Sequence, residues 1–245
     1  MDDAVCRWSV VVPALADAAG LGDHVGAVLA YFDARQEAYE VMVVVDGAEE
    51  ASLARARRAV GEHPAARVLA RPGRRGKGAA VREGMLRSRG ALRLMTDPDG
   101  ATPIAEVARL ESALAANADV AVGSRARPDA EPSALRPHRR LAGAAFNLVV
   151  RAVGVRGVSD SQSGFKLFRG GVAADLFAAL TTPGYGFDVE LLLLAQRRGY
   201  RVVEVPVAWV DRPGSRVGVM REGPRMLVEV LRARWRLGRA GRSRQ

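Results

Sequence analysis

The chain has 245 residues, 49% of them hydrophobic and 26% charged, with a formal net charge of +10. That length and apolar share suffice for one large α/β domain, and no apolar run approaches the roughly 18 to 20 residues that span a bilayer. The acidic start (Asp2, Asp3) is unlike a secretory leader, so a cytoplasmic protein is expected, and the single Cys6 excludes an internal disulfide or a cysteine-bound metal cluster.

Residues 9–12, preceded by Trp8 and closed by Pro13, form a β-branched run that predicts a buried strand. Apolar residues at helical spacing (Val25, Val28, Leu29, Phe32) predict a helix over 21–35. A second buried strand follows at 41–45 and ends in the turn Asp46-Gly47. Further helices are predicted over 49–60, 78–89 and 104–116, alternating with strands over 67–70, 91–96 and 119–122. This βαβα order argues for a parallel sheet with helices on both faces. Ligands in such sheets bind beyond the carboxyl ends of the strands, where the strand order switches. Asp46, Asp97 and Asp99 all fall at predicted strand ends.

Three prolines over 126–138 (Pro128, Pro132, Pro137) predict a surface loop. A helix over 139–153, a turn-rich segment over 154–171, a helix near 187–198 and a strand over 202–207 come next. The last helix, about 224–237, places Leu227, Val230, Leu231 and Trp235 on one face and arginines elsewhere. The tail after Gly238 is basic and expected to be disordered.

Charge is unevenly placed. Residues 67–93 hold nine basic residues and one acidic (Glu83), and residues 212–245 hold ten basic and two acidic. Such blocks imply anionic partners: phosphates, lipid head groups or nucleic acid. Against nucleic acid, aromatic residues make up only 5% of the chain and do not interleave with the arginines as stacking platforms require.

Four stretches carry candidate chemistry. In "LMTDPDGATP" (94–103), Asp97 and Asp99 flank Pro98, which stiffens the turn. Paired carboxylates suit Mg²⁺ or Mn²⁺, whose shells are completed by water and substrate phosphates; a solvated turn is the plainer alternative. "RRGKGAAVR" (74–82) is a basic, glycine-rich loop opening a helix, a setting that suits an anion. "SDSQSGFKLFR" (159–169) is a polar turn followed by an alternating strand, whose side chains would line a cleft or merely precede an edge strand. "GYGFDVE" (184–190) puts Asp188 and Glu190 at a helix start, either as a general base or as ordinary helix N-terminal acids.

In order, these stretches together with "VGSRA", "GFDVELLLLAQRRGYRVVEVPVAW" and "RPGSRV" resemble the family-2 glycosyltransferases of the GT-A fold. The polyprenyl-phosphate (dolichyl-phosphate) β-glucosyltransferase branch is the nearest likeness. The similarity runs over about residues 9–236. It implies a single α/β domain, Rossmann-like, with a mixed, mainly parallel sheet and helices on both faces. A nucleotide-binding half would span about 7–125 and an acceptor half about 126–238, with a basic tail over 239–245. The implied activity is inverting transfer of a hexose from a UDP- or GDP-sugar to polyprenyl phosphate, aided by Mg²⁺ or Mn²⁺.

By the same resemblance Asp97 and Asp99 form the metal-binding D-x-D pair, with Asp99 the more direct ligand. Pro13, Asp46, Arg71, Lys77 and Asp97 line the nucleotide, and Arg212, Ser215 and Arg216 belong to a segment that closes over phosphate. Asp160 and Gln162 lie beside donor sugar and acceptor, and Asp188 takes the place of a base, with Glu190 next to it. Where the family has P-x-Y-N-E this chain has Pro13-Ala14-Leu15-Ala16-Asp17, and Val45 replaces the first aspartate of D-D-G-S. Two other readings stay open: a soluble enzyme acting on a small-molecule or peptide hydroxyl, and a non-catalytic nucleotide-sugar binder. The basic C-terminal helix leaves two readings open, peripheral contact with the inner face of an anionic membrane or packing on the sheet with a solvated arginine face, and nucleic acid is not an expected partner.

Overall fold

The computed structural model describes residues 6–14, 20–47, 49–125, 146, 148–210 and 219–242, without the side chains of 219–222 and 240–242. Its first half alternates as the sequence predicts. Strands β1 (Trp8–Ala14), β2 (Tyr39–Asp46), β3 (Ala66–Arg71), β4 (Leu92–Thr96) and β5 (Val120–Ser124) are separated by helices α1 (Leu21–Arg35), α2 (Glu50–Val60), α3 (Lys77–Arg87) and α4 (Val107–Ala115). A short 3₁₀ turn, Ile104–Glu106, opens α4. The second half adds β6 (Phe165–Arg169), α5 (Gly170–Ala179), α6 (Phe187–Arg197), β7 (Val202–Pro206) and α7 (Val219–Arg242).

The strands form one seven-stranded sheet in the order β3-β2-β1-β4-β6-β5-β7. All pairs are parallel except those of β6, which runs antiparallel to both β4 and β5. The "FKLFR" strand is therefore central, not an edge. Alternate residues of each strand feed two separate cores. Val11, Met42, Val44, Met95 and Phe168 pack with α3, α5 and α6 on one face. Val10, Val12, Val43, Leu94 and Leu167 pack with α1, α2 and α4 on the other. Two covered faces explain why these strands read as continuous apolar runs rather than alternating ones.

Two elements depart from expectation. Helix α5 was not anticipated, because Gly170-Gly171 masks the apolar spacing of Val172, Leu176 and Phe177, all of which are buried. Helix α7 begins before Pro224 and passes Gly238 to reach Arg242, so residues 239–242 are helical rather than a disordered tail. One glycine costs about 1 kcal/mol, too little to stop a helix anchored by Val230 and Ala233, both fully buried. The predicted loop over 126–138 and most of the helix over 139–153 lie outside the described residues, within which 148–152 are helical.

Candidate functional site

The sheet opens where a ligand is expected. Strand β1 pairs with β2 along its whole length, but with β4 only from Trp8 to Val11. The two strands part beyond Val11, so Pro13 meets no β4 partner and its missing N–H costs no bond there. Strand order reverses at this same pair, since β2 and β3 lie on one side and the later strands on the other. Asp97 follows directly from the end of β4 into this opening.

The turn that carries Asp97 and Asp99 is held from below by α1. His24, buried, shares a hydrogen bond of 3.0 Å between its Nε2 and Thr96 Oγ1. Gly100 has φ +63°, and a Cβ there would meet His24 Nδ1 at 2.9 Å. Asp99 Oδ1 accepts a bond from Ala101 N–H at 3.1 Å, which closes the turn locally. Burial raises the Asp99 carboxyl and the nearby Asp97 charge adds to that, against the Ala101 bond.

Asp97 faces Lys77, whose Nζ lies 2.6 Å from Oδ1. Oδ1 is buried, and the ammonium is its close partner. Burial would raise this carboxyl, but Lys77, with Lys166 and Arg125 farther off, holds it below the usual range. Burial likewise disfavours the Lys77 cation, yet Asp97 and Asp188 outweigh it and push the ammonium up to about 12.

Lys77 is delivered by the loop before α3, and Asp46 fixes that loop. The Asp46 carboxylate accepts from Arg75 N–H (3.1 Å to each oxygen) and Gly76 N–H (2.6 Å), and pairs with Arg71 at 3.3 Å. Gly76 has φ +114°, and a Cβ there would press on Pro183 O at 2.6 Å. Ala79 N–H donates to the same carbonyl. The backbone donors expected to hold an anion are thus already engaged, at 75–76 by a carboxylate of the chain itself. Asp46 and Arg71 brace the loop, and Lys77 follows it at the start of α3.

On the far side of Asp97 lies the polar turn 160–164. A Cβ on Gly164 would fall onto the Asp97 carboxylate, so only glycine admits this contact. Arg125, at the end of β5, grips Asp160 with Nε at 2.7 Å and Nη2 at 2.8 Å, and its own N–H adds a third bond. Burial raises Asp160, but Arg125 more than compensates and holds its carboxyl low. Glu204 accepts from the N–H groups of Ser159 and Asp160. Within this braced turn Gln162 Nε2 and Ser161 Oγ are buried and, among the described residues, without hydrogen-bond partners. An unpaired buried donor costs about 1 to 3 kcal/mol, which a ligand accepting from Gln162 would recover.

Lys166, fully buried at the centre of the sheet, donates to Asp188 Oδ1 at 2.6 Å and to Ser163 O at 2.5 Å. It therefore ties the 160–164 turn to the start of α6. Burial raises Asp188, and the Lys166 and Lys77 charges oppose that rise. Glu190 stands apart from this cluster: it accepts from Thr181 and Thr182 N–H and from Thr181 Oγ1, and meets Arg236 at 3.5 Å. It caps a loop.

The structure thus brings together Pro13, Asp46, Arg71, Lys77, Asp97, Asp99, Asp160, Gln162 and Asp188, and sets Glu190 aside. Arg212, Ser215 and Arg216 lie outside the described residues. Sequence reading assigned no role to Lys166, Arg125 or His24. For Lys166 a signal existed, since a lysine between apolar neighbours in a strand, in a chain with only two lysines, needs a partner.

The donor set suits a hard divalent cation: two carboxylates two residues apart in one turn, at the end of a strand. Among the described residues no cluster of three or more His, Cys, Asp or Glu forms a metal cage. An ion held by Asp97 and Asp99 would take its other ligands from water and substrate oxygens.

The model of the family described as "Glycosyl transferase family 2" matches residues 9–177. The chain is 37% identical over 230 residues to a dolichyl-phosphate beta-glucosyltransferase of Drosophila melanogaster, covering 88% of this chain and 71% of that protein. It is 36% identical over 220 residues to one from Trichomonas vaginalis (85% and 65%), and 34% identical over 230 residues to the human protein of that name (88% and 71%). Among solved structures, mannosyl-3-phosphoglycerate synthase from Rubrobacter xylanophilus superposes with TM-score 0.69 at 20% identity, covering 98% of this chain and 76% of that one. Glucosyl-3-phosphoglycerate synthase from Mycobacterium tuberculosis, in complex with Mn²⁺, UDP and glucosyl-3-phosphoglycerate, gives TM-score 0.65 at 20% identity over 93% and 78%. These two likenesses speak for the fold alone, and they bear out the GT-A architecture.

Proposed function

Because the chain belongs to glycosyl transferase family 2, we propose that it transfers a hexose from a nucleotide sugar to a polyprenyl phosphate, with inversion and with Mg²⁺ or Mn²⁺. The observation that carries this reading is the Lys77–Asp97 pair at the β1/β4 opening, with Asp99 two residues on. Its setting is a sheet whose relatives, 34 to 37% identical, are named dolichyl-phosphate beta-glucosyltransferases.

Each group has a task that follows from its surroundings. Asp97 and Asp99 would hold the ion, which when bound stabilises negative charge growing on the leaving diphosphate. Lys77 sits at the start of α3, where its ammonium can pass from Asp97 to a diphosphate oxygen. Asp46 and Arg71 fix the loop that aims it. Gln162 presents its unpaired Nε2 to the sugar or acceptor, on a turn that Arg125 and Glu204 hold in place. In the reaction an acceptor phosphate oxygen bonds to the anomeric carbon as the bond from that carbon to the diphosphate breaks. The electron pair of that bond leaves on the nucleoside diphosphate.

A hydroxyl acceptor would require a base. Asp188, the sequence candidate, is locked to Lys166 at 2.6 Å and is 1% exposed. A phosphate acceptor is already anionic and needs no such group, so this pairing favours the lipid phosphate over a soluble hydroxyl. The test is transfer from UDP-, GDP- and dTDP-sugars, with Mn²⁺, to polyprenyl phosphate and to soluble hydroxyl acceptors, read by mass spectrometry. A glycosylated polyprenyl phosphate is expected; products only on hydroxyl acceptors would overturn the reading.

A further inference from the structure

Helix α7 presents two unlike faces. At about 100° per residue, Val230, Ala233 and Leu237 share one sector, where Val230 and Ala233 are fully buried and Leu237 packs at the edge of the core. Leu227, Val228, Leu231 and Trp235 occupy a second sector about 140° away, and they are 38%, 45%, 51% and 63% exposed. A single exposed leucine needs no explanation, but four large apolar side chains in one stripe do.

The borders of the stripe are cationic. Arg225, Arg232 and Arg239 run along one flank by helical position and Arg234 along the other, and the Arg239 guanidinium lies 4.8 Å from the Trp235 ring centre. Over the whole helix seven arginines stand against two glutamates. Glu229 is turned inward, accepting from Gly186 N–H at 2.8 Å. An apolar strip ending in tryptophan and fringed by arginines complements a surface that is greasy within and anionic at its rim.

Position gives the stripe a purpose. Besides the Glu229 bond to Gly186, α7 reaches the same loop through Arg236, which donates to Thr182 Oγ1. That loop also carries Pro183, whose carbonyl accepts from Ala79 N–H in the first turn of α3, beside Lys77. The exposed face of α7 is thus joined by one loop to the phosphate-handling end of the sheet.

We propose that α7 docks this chain on an anionic membrane surface through Leu227, Val228, Leu231 and Trp235. The inference rests on the polyprenyl-phosphate reading, since docking there brings the site to the head-group level at which such an acceptor phosphate lies. No helix of the described residues is long and apolar enough to cross a membrane, so α7 lies in the interface plane.

The test uses the full chain with vesicles of phosphatidylcholine alone or mixed with phosphatidylglycerol, followed by co-sedimentation and by tryptophan emission. Anionic vesicles are expected to bind at least about tenfold more tightly, with a blue shift and with weakening by salt. The double variant Leu231→Glu/Trp235→Glu, at exposed positions, is expected to lose about tenfold or more in vesicle affinity. Its melting temperature and its transfer to a short-chain, water-soluble polyprenyl phosphate should match the parent. Equal vesicle binding by parent and variant would overturn the docking face. So would a dimer of the parent, in the absence of lipid, that the variant abolishes. Vesicle binding without transfer to any polyprenyl phosphate would leave α7 a membrane face and overturn the acceptor reading instead. Transfer to the soluble acceptor without vesicle binding does the reverse.

Discussion

Lys77 Nζ lies 2.6 Å from Asp97 Oδ1, the oxygen that a divalent ion at this site would also need. The ammonium and the ion therefore compete for one carboxylate until a nucleotide diphosphate draws the lysine away. Metal and nucleotide should bind with positive coupling, and such coupling is reciprocal. In Lys77→Met, Mn²⁺ without nucleotide is expected to bind about tenfold more tightly, a difference of about 1.4 kcal/mol. Nucleoside diphosphate should bind more weakly, and the coupling should shrink. Free Mn²⁺ counted by electron paramagnetic resonance decides it: weaker Mn²⁺ binding in the variant would mean that Lys77 positions Asp97 for the ion rather than rivalling it.

Asp99 has no cationic partner at ion-pair distance among the described residues, and its carboxylate accepts the Ala101 N–H that closes its own turn. Asp99→Ala should leave the melting temperature within about 3 °C while lowering the rate of sugar transfer by about 10³-fold. Circular dichroism and a radiolabelled transfer assay check the two halves. Full activity in this variant would remove the aspartate pair from the site.

Lys166 and Asp188 are 0% and 2% exposed at their side chains and satisfy each other's charge. Removing one member leaves the other stranded, so Lys166→Met is expected to cost about 3 kcal/mol of stability. Lys166→Met/Asp188→Leu should recover much of that loss, because two apolar groups strand no charge. Asp188→Asn keeps an acceptor for Lys166 and should retain at least about a tenth of the transfer rate to a phosphate acceptor, where loss of a true base costs about 10² to 10⁴-fold. Urea unfolding and steady-state rates on the three variants separate a structural ion pair from a base.

The alternating first half of the fold was legible because buried parallel strands and amphipathic helices have plain periodicities, and the aspartates fell where strands end. What was not legible is which charges meet. The sequence places Asp46 at a strand end, but does not say that its oxygens accept from Arg75 N–H and Gly76 N–H and pair with Arg71. Glu190 reads as a partner of Asp188, yet its bonds turn to Thr181 and Thr182. Two residues at i and i+2 on one helix point about 200° apart, so a shared motif does not imply a shared site. The apolar face of α7 shows the same limit: Val230 and Leu231 are neighbours in one predicted stripe, but one is 0% exposed and the other 51%.

Arg125 and Asp160 should govern acid stability of the polar turn. Arg125 holds Asp160 below its unfolded value near about 3.9. A carboxylate depressed on folding stabilises the native state above the unfolded value, and the gain is lost as pH falls through the folded value. Asp160→Asn is therefore expected to be less stable than the parent by about 2 kcal/mol at pH 7. The gap should stay constant down to about pH 5 and narrow progressively below about pH 4. Urea unfolding across that range is the measurement, and a gap that widens with acidity would reverse the assignment.

Gly164 is the strictest steric constraint at the site, because a side chain there would occupy the space of the Asp97 carboxylate itself. Gly164→Ala must therefore move either the 160–164 turn or Asp97. The turn is held by Arg125 on Asp160, by Glu204 on the Ser159 and Asp160 N–H groups, and by Lys166 on Ser163 O. Among the described residues the Asp97 carboxylate has a single ion-pair contact, with Lys77, so the carboxylate should yield first. The expected result is a loss of about 10²-fold in transfer, as misplacement of a reacting geometry by about 1 Å produces. Mn²⁺ affinity should fall with it, while stability drops by no more than about 1 to 3 kcal/mol. Undiminished Mn²⁺ binding in this variant would show that the turn moves instead, and that Asp97 is set by β4 alone.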